Sequence, residues 1–320
     1  MFRKKRLALI ALFIVCGMVA WWKGLAVGAT LLAIALGLVL LRYLWFVVAA
    51  HRGVQRLEQL RDRYAFDRMA EVARSRCQDD ALTFVALGDT RGNVRTGRLI
   101  YEAAAAENPA FIVNTGDIIR RGTARELLQR HIPLTEAIAP IPMFVTPGNH
   151  ERGARRDFAA FKALYGSDRF AFDCGPACFV GFNNSTRARV DDDDLAFLEQ
   201  ALTASAAPRR FVFLHIPPRF FEETFSTNPR RGFTERQDAF RALMARCRVD
   251  EVFMAHIHGY ATAVFDGVRY TLTAGAGAPL DSAVRDGGHH HYIVVRVRPD
   301  GIEREVVRRE EGQWIRTPVA

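Results

Sequence analysis

The chain is 320 residues long, with 44 Lys and Arg against 35 Asp and Glu and a formal net charge of +9. Hydrophobic residues at 49% and charged residues at 25% exclude a disordered or collagen-like chain, and five cysteines exclude a disulfide-dense miniature scaffold. The charge excess is local: residues 1–76 carry 13 basic and 4 acidic side chains, and residues 77–320 carry 31 of each, so a nucleic-acid partner is not expected.

Arg3, Lys4, Lys5 and Arg6 precede a mostly apolar run from Leu7 to Trp22, which ends at Lys23-Gly24. A second run extends from Leu25 to Leu41 and, past Arg42, continues through Tyr43–Ala50. At about 1.5 Å per residue the first run is short against a hydrocarbon core of about 30 Å, and the second is long enough to cross it. Trp21 and Trp22 suit the headgroup level, and seven arginines lie between Arg52 and Arg76. These features predict a membrane anchor over 1–50, a transmembrane helical hairpin (about 7–22 and 25–48) in contact with membrane lipid. The positive-inside bias would keep both basic ends in the cytoplasm, placing the larger part on the cytoplasmic face of the cell's inner membrane. The rival reading, a secretory signal peptide with the larger part outside, lacks a clean small-x-small cleavage site. Residues 51–80 read as a charged helical stalk or linker, with Val54, Leu57, Leu60, Tyr64, Met69 and Val72 at near-helical spacing. Four acidic residues there argue against a basic helix lying on anionic lipid.

From residue 81 to 320 the chain reads as one α/β domain. Thr83–Leu87, Ala110–Val113, Met143–Val145, Phe211–Leu214 and Glu251–Met254 are apolar runs of buried-strand type. Helical patterns fall over Thr96–Glu107, Ala124–Ile138 with an interruption at Pro133, Arg155–Tyr165, Asp194–Ala204 and Glu235–Cys247. The alternation predicts a site outside the strand ends. Further on, Ala261–Phe265 and Val268–Thr273 flank Asp266-Gly267, and Tyr292–Val297 and Ile302–Val307 flank Pro299-Asp300-Gly301, so the C-terminal part is expected to be antiparallel.

Five of the predicted strands end in polar clusters: Gly88-Asp89-Thr90-Arg91-Gly92-Asn93, Gly116-Asp117, Gly148-Asn149-His150-Glu151, His215, and Ala255-His256-Ile257-His258. Each alone is explained by a turn, a helix cap or a satisfied histidine. Together they place four of nine histidines with carboxylates and an amide at strand ends, a donor set that suits divalent metals. In this order the clusters resemble those of the calcineurin-like metallophosphoesterases, over about residues 81–300. That family's pattern runs Asp-x-His, Gly-Asp, Gly-Asn-His-Asp/Glu, His and Gly-His-x-His. The resemblance implies a four-layer fold of two mixed β-sheets packed face to face and flanked by helices. It also implies two divalent ions, for which Mn, Fe or Zn would fit, and hydrolysis of a phosphoester substrate by a metal-bridged hydroxide. Asp117 would bridge the ions; Asn149, His215 and His256 would complete one site, and Asp89 and His258 would serve the other. His150 would sit beside the leaving oxygen. The substrate class, whether phosphomonoester, phosphodiester or pyrophosphate, stays open.

Arg91 departs from the pattern, standing where the family places a ligand histidine. A guanidinium does not coordinate a metal, so a weaker ion, a substitute ligand such as Asn93 or water, and a functional phosphate-gripping Arg91 compete. An alternative function follows, a degenerate module that binds a phosphorylated ligand without turnover. Arg120 and Arg121 are expected to be solvated, Asp191–Asp194 to open a helix, and His289–His291 to lead into a strand. Cys174 and Cys178, in a predicted hairpin, are candidates for a disulfide, and Ser226–Phe233 for a lid offering Arg230 or Arg231.

Overall fold

The computed structural model describes residues 14–15, 17–19, 21–22, 24–77, 80–187, 189–285 and 287–319, which form two compact units divided after Gly53. In the first unit the described positions between 14 and 22 are helical, and Gly24 interrupts the chain with φ +94° before helix α1 (Leu25–Tyr64) begins. Most of the expected first span lies outside the described residues. The expected second span is part of α1, which is long and apolar enough to cross a membrane. Its large side chains are exposed, Leu41 by 64% and Trp45 by 69%.

The second unit begins at Val54. Instead of forming a solvated stalk, the last turns of α1 and helix α2 (Phe66–Arg74) bury Leu57, Tyr64, Phe66, Met69, Ala70 and Ala73 in the core. Phe66 lies between Phe144 and Tyr165, with ring centroids 6.2 and 5.3 Å away. Arginines of this stretch grip carbonyls: Arg61 donates to Ala163 O, Arg74 to Asp173 O and Arg76 to Pro109 O. Cys77 then forms a disulfide with Cys174, across a sequence separation of 97.

Among the described residues twelve strands make two six-stranded mixed sheets. The first holds β1 (Leu82–Leu87), β2 (Phe111–Asn114) and β3 (Met143–Val145) in parallel, and β10 (His290–Arg298), β11 (Gly301–Glu310) and β12 (Gln313–Pro318) antiparallel on the other side of β1. The second runs β4 (Phe170–Cys174), β5 (Ala177–Gly181), β6 (Arg209–Phe213), β7 (Glu251–Met254), β9 (Val268–Thr273), β8 (Tyr260–Phe265). Strands β5, β6, β7 and β9 are parallel, and hairpins β4–β5 and β8–β9 close the two edges.

Alternation along each strand builds the layers. Phe211 and Phe213 face the first sheet, where Phe84 lies 5.0 and 6.2 Å away, while Val212 and Leu214 belong to the cluster on the opposite face. Phe84, Phe111 and Phe144 thus interleave with Phe172, Phe179, Phe211 and Phe253. Helix α3 (Val94–Ala106) buries Ile100, Tyr101 and Ala104. A helical segment follows as α4 (Ala124–Glu126), a π turn (Leu127–His131) and α5 (Ile132–Ala137). Pro133 lies in the first turn of α5, where its missing N–H costs nothing, so the π turn and not the proline carries the irregularity. Helix α6 (Ala159–Tyr165) starts four residues later than expected, after Phe158 at φ +56°. Helices α7 (Asp192–Ala204), α8 (Arg219–Phe225) and α9 (Gln237–Arg246) complete the unit, α7 opened by the expected acidic turn through an Asp191–Asp194 capping box.

The expected Cys174–Cys178 pairing is corrected by register. Cys174 opposes Ala177 and Cys178 opposes Asp173, so the two cysteines sit on opposite faces of the hairpin. Cys178 is a buried free thiol whose pKa burial pushes up to about 12.

Two fully buried imidazoles give the fold a pH dependence. His131 Nε2 meets the Tyr165 hydroxyl at 2.5 Å, and His291 Nδ1 donates to His289 O at 2.9 Å; burial lowers both pKa values to about 3. The unfolded chain protonates both near 6.5, so between pH 6.5 and 3 it binds more protons than the native state. Stability is therefore full above pH 6.5 and falls with acidification, by at most about 1.4 kcal/mol per pH unit for each histidine. Thermal unfolding followed by circular dichroism should show the midpoint dropping between pH 7 and pH 5, and His131→Gln should flatten that dependence.

Candidate metal and phosphate site

The site lies past the C-terminal ends of β1, β2 and β3 in one sheet and of β6 and β7 in the other. Parallel strands end side by side, so their loops converge. Asp89 follows β1, Asp117 follows β2, Asn149 and His150 follow β3, His215 follows β6, and His256 and His258 follow β7. Asp89, Arg91, Asp117 and His256 all hold left-handed backbones, with φ between +50° and +74°. Such conformations persist where neighbours over-determine them, and here they do. Asp89 N–H donates to Gly116 O at 3.0 Å, Arg91 N–H to Asp117 O at 2.7 Å, and Gly92 N–H to Ile118 O at 3.0 Å, zipping the first two loops together. Gly116 has φ +105°, and a Cβ there would press on His215 Nδ1 and Gly148 N at 2.7 Å. A Cβ on Gly148 would strike the Asp117 carboxylate.

Glu151 underlies this arrangement. It is 1% exposed; Oε2 accepts the N–H groups of Asp117 and Gly148 at 2.8 Å, and Oε1 accepts that of Ile119 at 3.1 Å. Burial, then the neighbouring Asp117 charge, raises its pKa well above the ordinary carboxylate range. Asp117 Oδ1 accepts the His150 N–H at 2.9 Å, and Asp89 Oδ2 accepts the His256 N–H at 2.8 Å, so that bond spans the two sheets.

Three histidines have their tautomer set by carbonyls, which only accept. His150 Nδ1–H donates to Arg120 O at 2.7 Å, His215 Nδ1–H to Thr115 O at 2.8 Å, and His258 Nδ1–H to Pro279 O at 2.6 Å. Burial lowers the His215 pKa to about 4 and, with His215 and Arg231 nearby, holds His256 well below its ordinary value. A neutral His215 therefore turns the Nε2 lone pair toward the other groups. Asn149 Oδ1 lies 3.3 Å from it and Asp117 Oδ1 3.5 Å, while the His256 ring stands edge-on with its centroid 5.1 Å away. Acceptors facing one another at this range need a cation between them. Asp117, His215 and His256 offer donor atoms all within 4.8 Å of one another, and a divalent ion fits this set. Asp89 Oδ1 is buried without a hydrogen-bond partner, 3.2 Å from His258 Nε2.

All eight side chains singled out in the sequence are joined by one network of contacts. Arg91 Nη1 is 3.2 Å from His258 Nε2 and 3.8 Å from Asp117 Oδ2, and His150 Nε2 is 3.8 Å from the same oxygen. Asn93 is engaged elsewhere: it caps α3 through the Thr96 N–H and donates to Gly277 O at 2.8 Å. The Arg120 and Arg121 side chains are exposed. The segment from Ser226 to Phe233 is pinned by Glu222, which accepts N–H groups of Arg230, Arg231 and Gly232; Arg231 is ion-paired to Asp281 and Arg230 is exposed. Glu151 and the small-residue loop Ala274–Pro279 were not recognised as site components, although Glu151 closes the third motif and the loop is marked by its Ala-Gly repetition.

A profile of the calcineurin-like phosphoesterases matches residues 82–260, more than half of the chain, and the chain belongs to that family. Among solved structures it resembles the purple acid phosphatase PPD1 from yellow lupin (Lupinus luteus) seeds, with TM-score 0.60 and 14% identity over 74% of this chain and 53% of that one. GAP50 of Plasmodium, described as the anchor in the inner membrane complex, gives 0.58 and 14% over 75% and 89%, and PhoD gives 0.55 and 13% over 75% and 68%. The match thus spans about half the length of the lupin enzyme. At these identities the likeness is one of fold. Comparison with curated proteins finds no match.

Replacing Glu151 by Gln would set an amide NH2 against at least one of the three backbone donors. The expected result is a loss of about 1–3 kcal/mol of stability and a 10- to 100-fold weaker metal affinity through displaced Asp117, read by thermal unfolding and metal titration.

Proposed function

We propose that the chain is a membrane-anchored, metal-dependent phosphoesterase. The observation that carries this is the set of acceptors turned toward one another by Asp117, Asn149 and His215, with His256 alongside and His150 at its edge. Asp117, Asn149, His215 and His256 would hold a divalent ion, which when bound supplies a Lewis acid for a phosphoryl oxygen. Family membership and the likeness in fold to the lupin purple acid phosphatase support the same reading. His150, its Nδ1–H committed to Arg120 O, presents Nε2 to the substrate. As an acid His150 must carry a second proton, on Nε2: as water attacks phosphorus and the bond to the leaving group breaks, the departing oxygen takes that proton, the attacking water releases its own to solvent, and the ring is left neutral with Nδ1–H on Arg120 O.

Hydrolysis of bis(p-nitrophenyl) phosphate and p-nitrophenyl phosphate, screened over Mn, Fe and Zn, tests the proposal; no metal-dependent turnover of any phosphoester would leave a binding module in its place. His150→Ala should lower kcat about 100- to 10,000-fold with metal content retained, whereas Asp117→Asn should lose metal as well.

We also infer that the domain faces an oxidising compartment, opposite to the side suggested by the basic flanks. The Cys77–Cys174 disulfide supports this, since such bonds do not persist in a reducing cytosol. Arg61, Arg74 and Arg76 have structural work in the fold, which accounts for part of the basic flank without an orientation signal. A C-terminal alkaline phosphatase fusion should be active in cells; a fusion folded only in the cytosol would overturn the assignment.

A further inference from the structure

The second ion expected from the family pattern would rest on Asp89, His258 and Asp117, and Arg91 stands against two of these. Arg91 Nη1 stands 3.2 Å from His258 Nε2, the ring nitrogen left over by the Nδ1–H bond to Pro279 O, and Asp89 Oδ1 lies 3.2 Å from the same nitrogen. Arg91 Nη1 is also 3.8 Å from Asp117 Oδ2. One guanidinium nitrogen therefore stands beside two of the three groups that a second ion would require, leaving Asp89 Oδ1 without a hydrogen-bond partner. An ion held by His258 Nε2 would stand close to this fixed positive charge and be repelled by it, and a guanidinium has no lone pair with which to become a ligand. The Arg91 backbone is pinned at φ +50° by its N–H bond to Asp117 O, so the side chain issues from a fixed point. Asn93, the other available ligand in that loop, is committed to capping α3 and to Gly277 O. With its side chain 25% exposed, Arg91 still presents donors outward.

We propose that this is a single-ion phosphoesterase in which the Arg91 guanidinium takes the place of the second ion. It lends fixed positive charge beside Asp117 and donates to a phosphoryl oxygen of the substrate. The inference rests on the proposed phosphoesterase reading and concerns the same site. Its consequence is a centre whose positive charge is partly built in, independent of metal supply.

The test uses the full chain in detergent, loaded with Mn(II), dialysed and analysed for metal per chain and by electron paramagnetic resonance. Wild type should hold one ion with an uncoupled signal. Arg91→His should hold two, with an exchange-coupled signal. His258→Ala in the otherwise native chain should keep the one ion at unchanged affinity, which decides the matter even where Arg91→His does not fold. Arg91→Ala should keep its ion and lose about 100- to 1000-fold in kcat. Two ions in wild type with a coupled signal, or loss of the ion in His258→Ala, would overturn the inference and leave the phosphoesterase reading intact. No ion in wild type would overturn both.

Discussion

Three backbone N–H groups converge on the buried carboxylate of Glu151, and the rest of the site depends on them. They belong to the loop after β2 and the loop after β3, so one side chain holds two strand ends in a fixed relation. An unpaired N–H at this depth is costly, so satisfying all three holds the loops to this carboxylate. Asp117 is thereby kept in a left-handed backbone, with its carboxylate turned toward His215. The link between sheets is made the same way, by hydrogen bonds from His256 N–H to Asp89 and from His215 to Thr115 O. Rigidity of the donor set comes from backbone hydrogen bonding, and the phenylalanine layer beneath fixes the distance between sheets.

Electrostatics at the site follows from burial more than from net charge. The part of the chain that carries it is balanced between acidic and basic residues, so attraction for a phosphate must arise within a few ångströms of the loops. Burial keeps His215 and His256 neutral, available as metal donors and adding no positive charge of their own. Arg91, Arg231 and any bound ion are the local cations, and Arg231 is tied to Asp281.

The strands that frame the site were legible because strands buried on both faces read as continuous apolar runs, and their ends are marked by Gly and Asp. The eight polar residues were legible through their order along the chain. Less was visible where an element's partner lies far away. Leu57, Tyr64 and Met69 showed helical spacing, yet nothing local says that their apolar face meets Tyr165 and Phe144 and not solvent. Strand β12, Gln-Trp-Ile-Arg-Thr-Pro, is an exposed edge without the alternation that betrays a half-buried strand. Cys174 has one cysteine four residues away and its true partner 97 away, and only the pleat of the β4–β5 hairpin excludes the nearer one. The role of Glu151 is similarly hidden, because its partners are main-chain groups that carry no residue identity.

The disulfide has a mechanical consequence. The apolar helix α1 leads through a bend at Ala65 and helix α2 into the segment that ends at Cys77, and the sheets begin at Leu82. A protease that severed the chain between those points would not separate α1 from the sheets, because the covalent path through Cys174 would remain. Release would demand two separate events, a cut and a reduction.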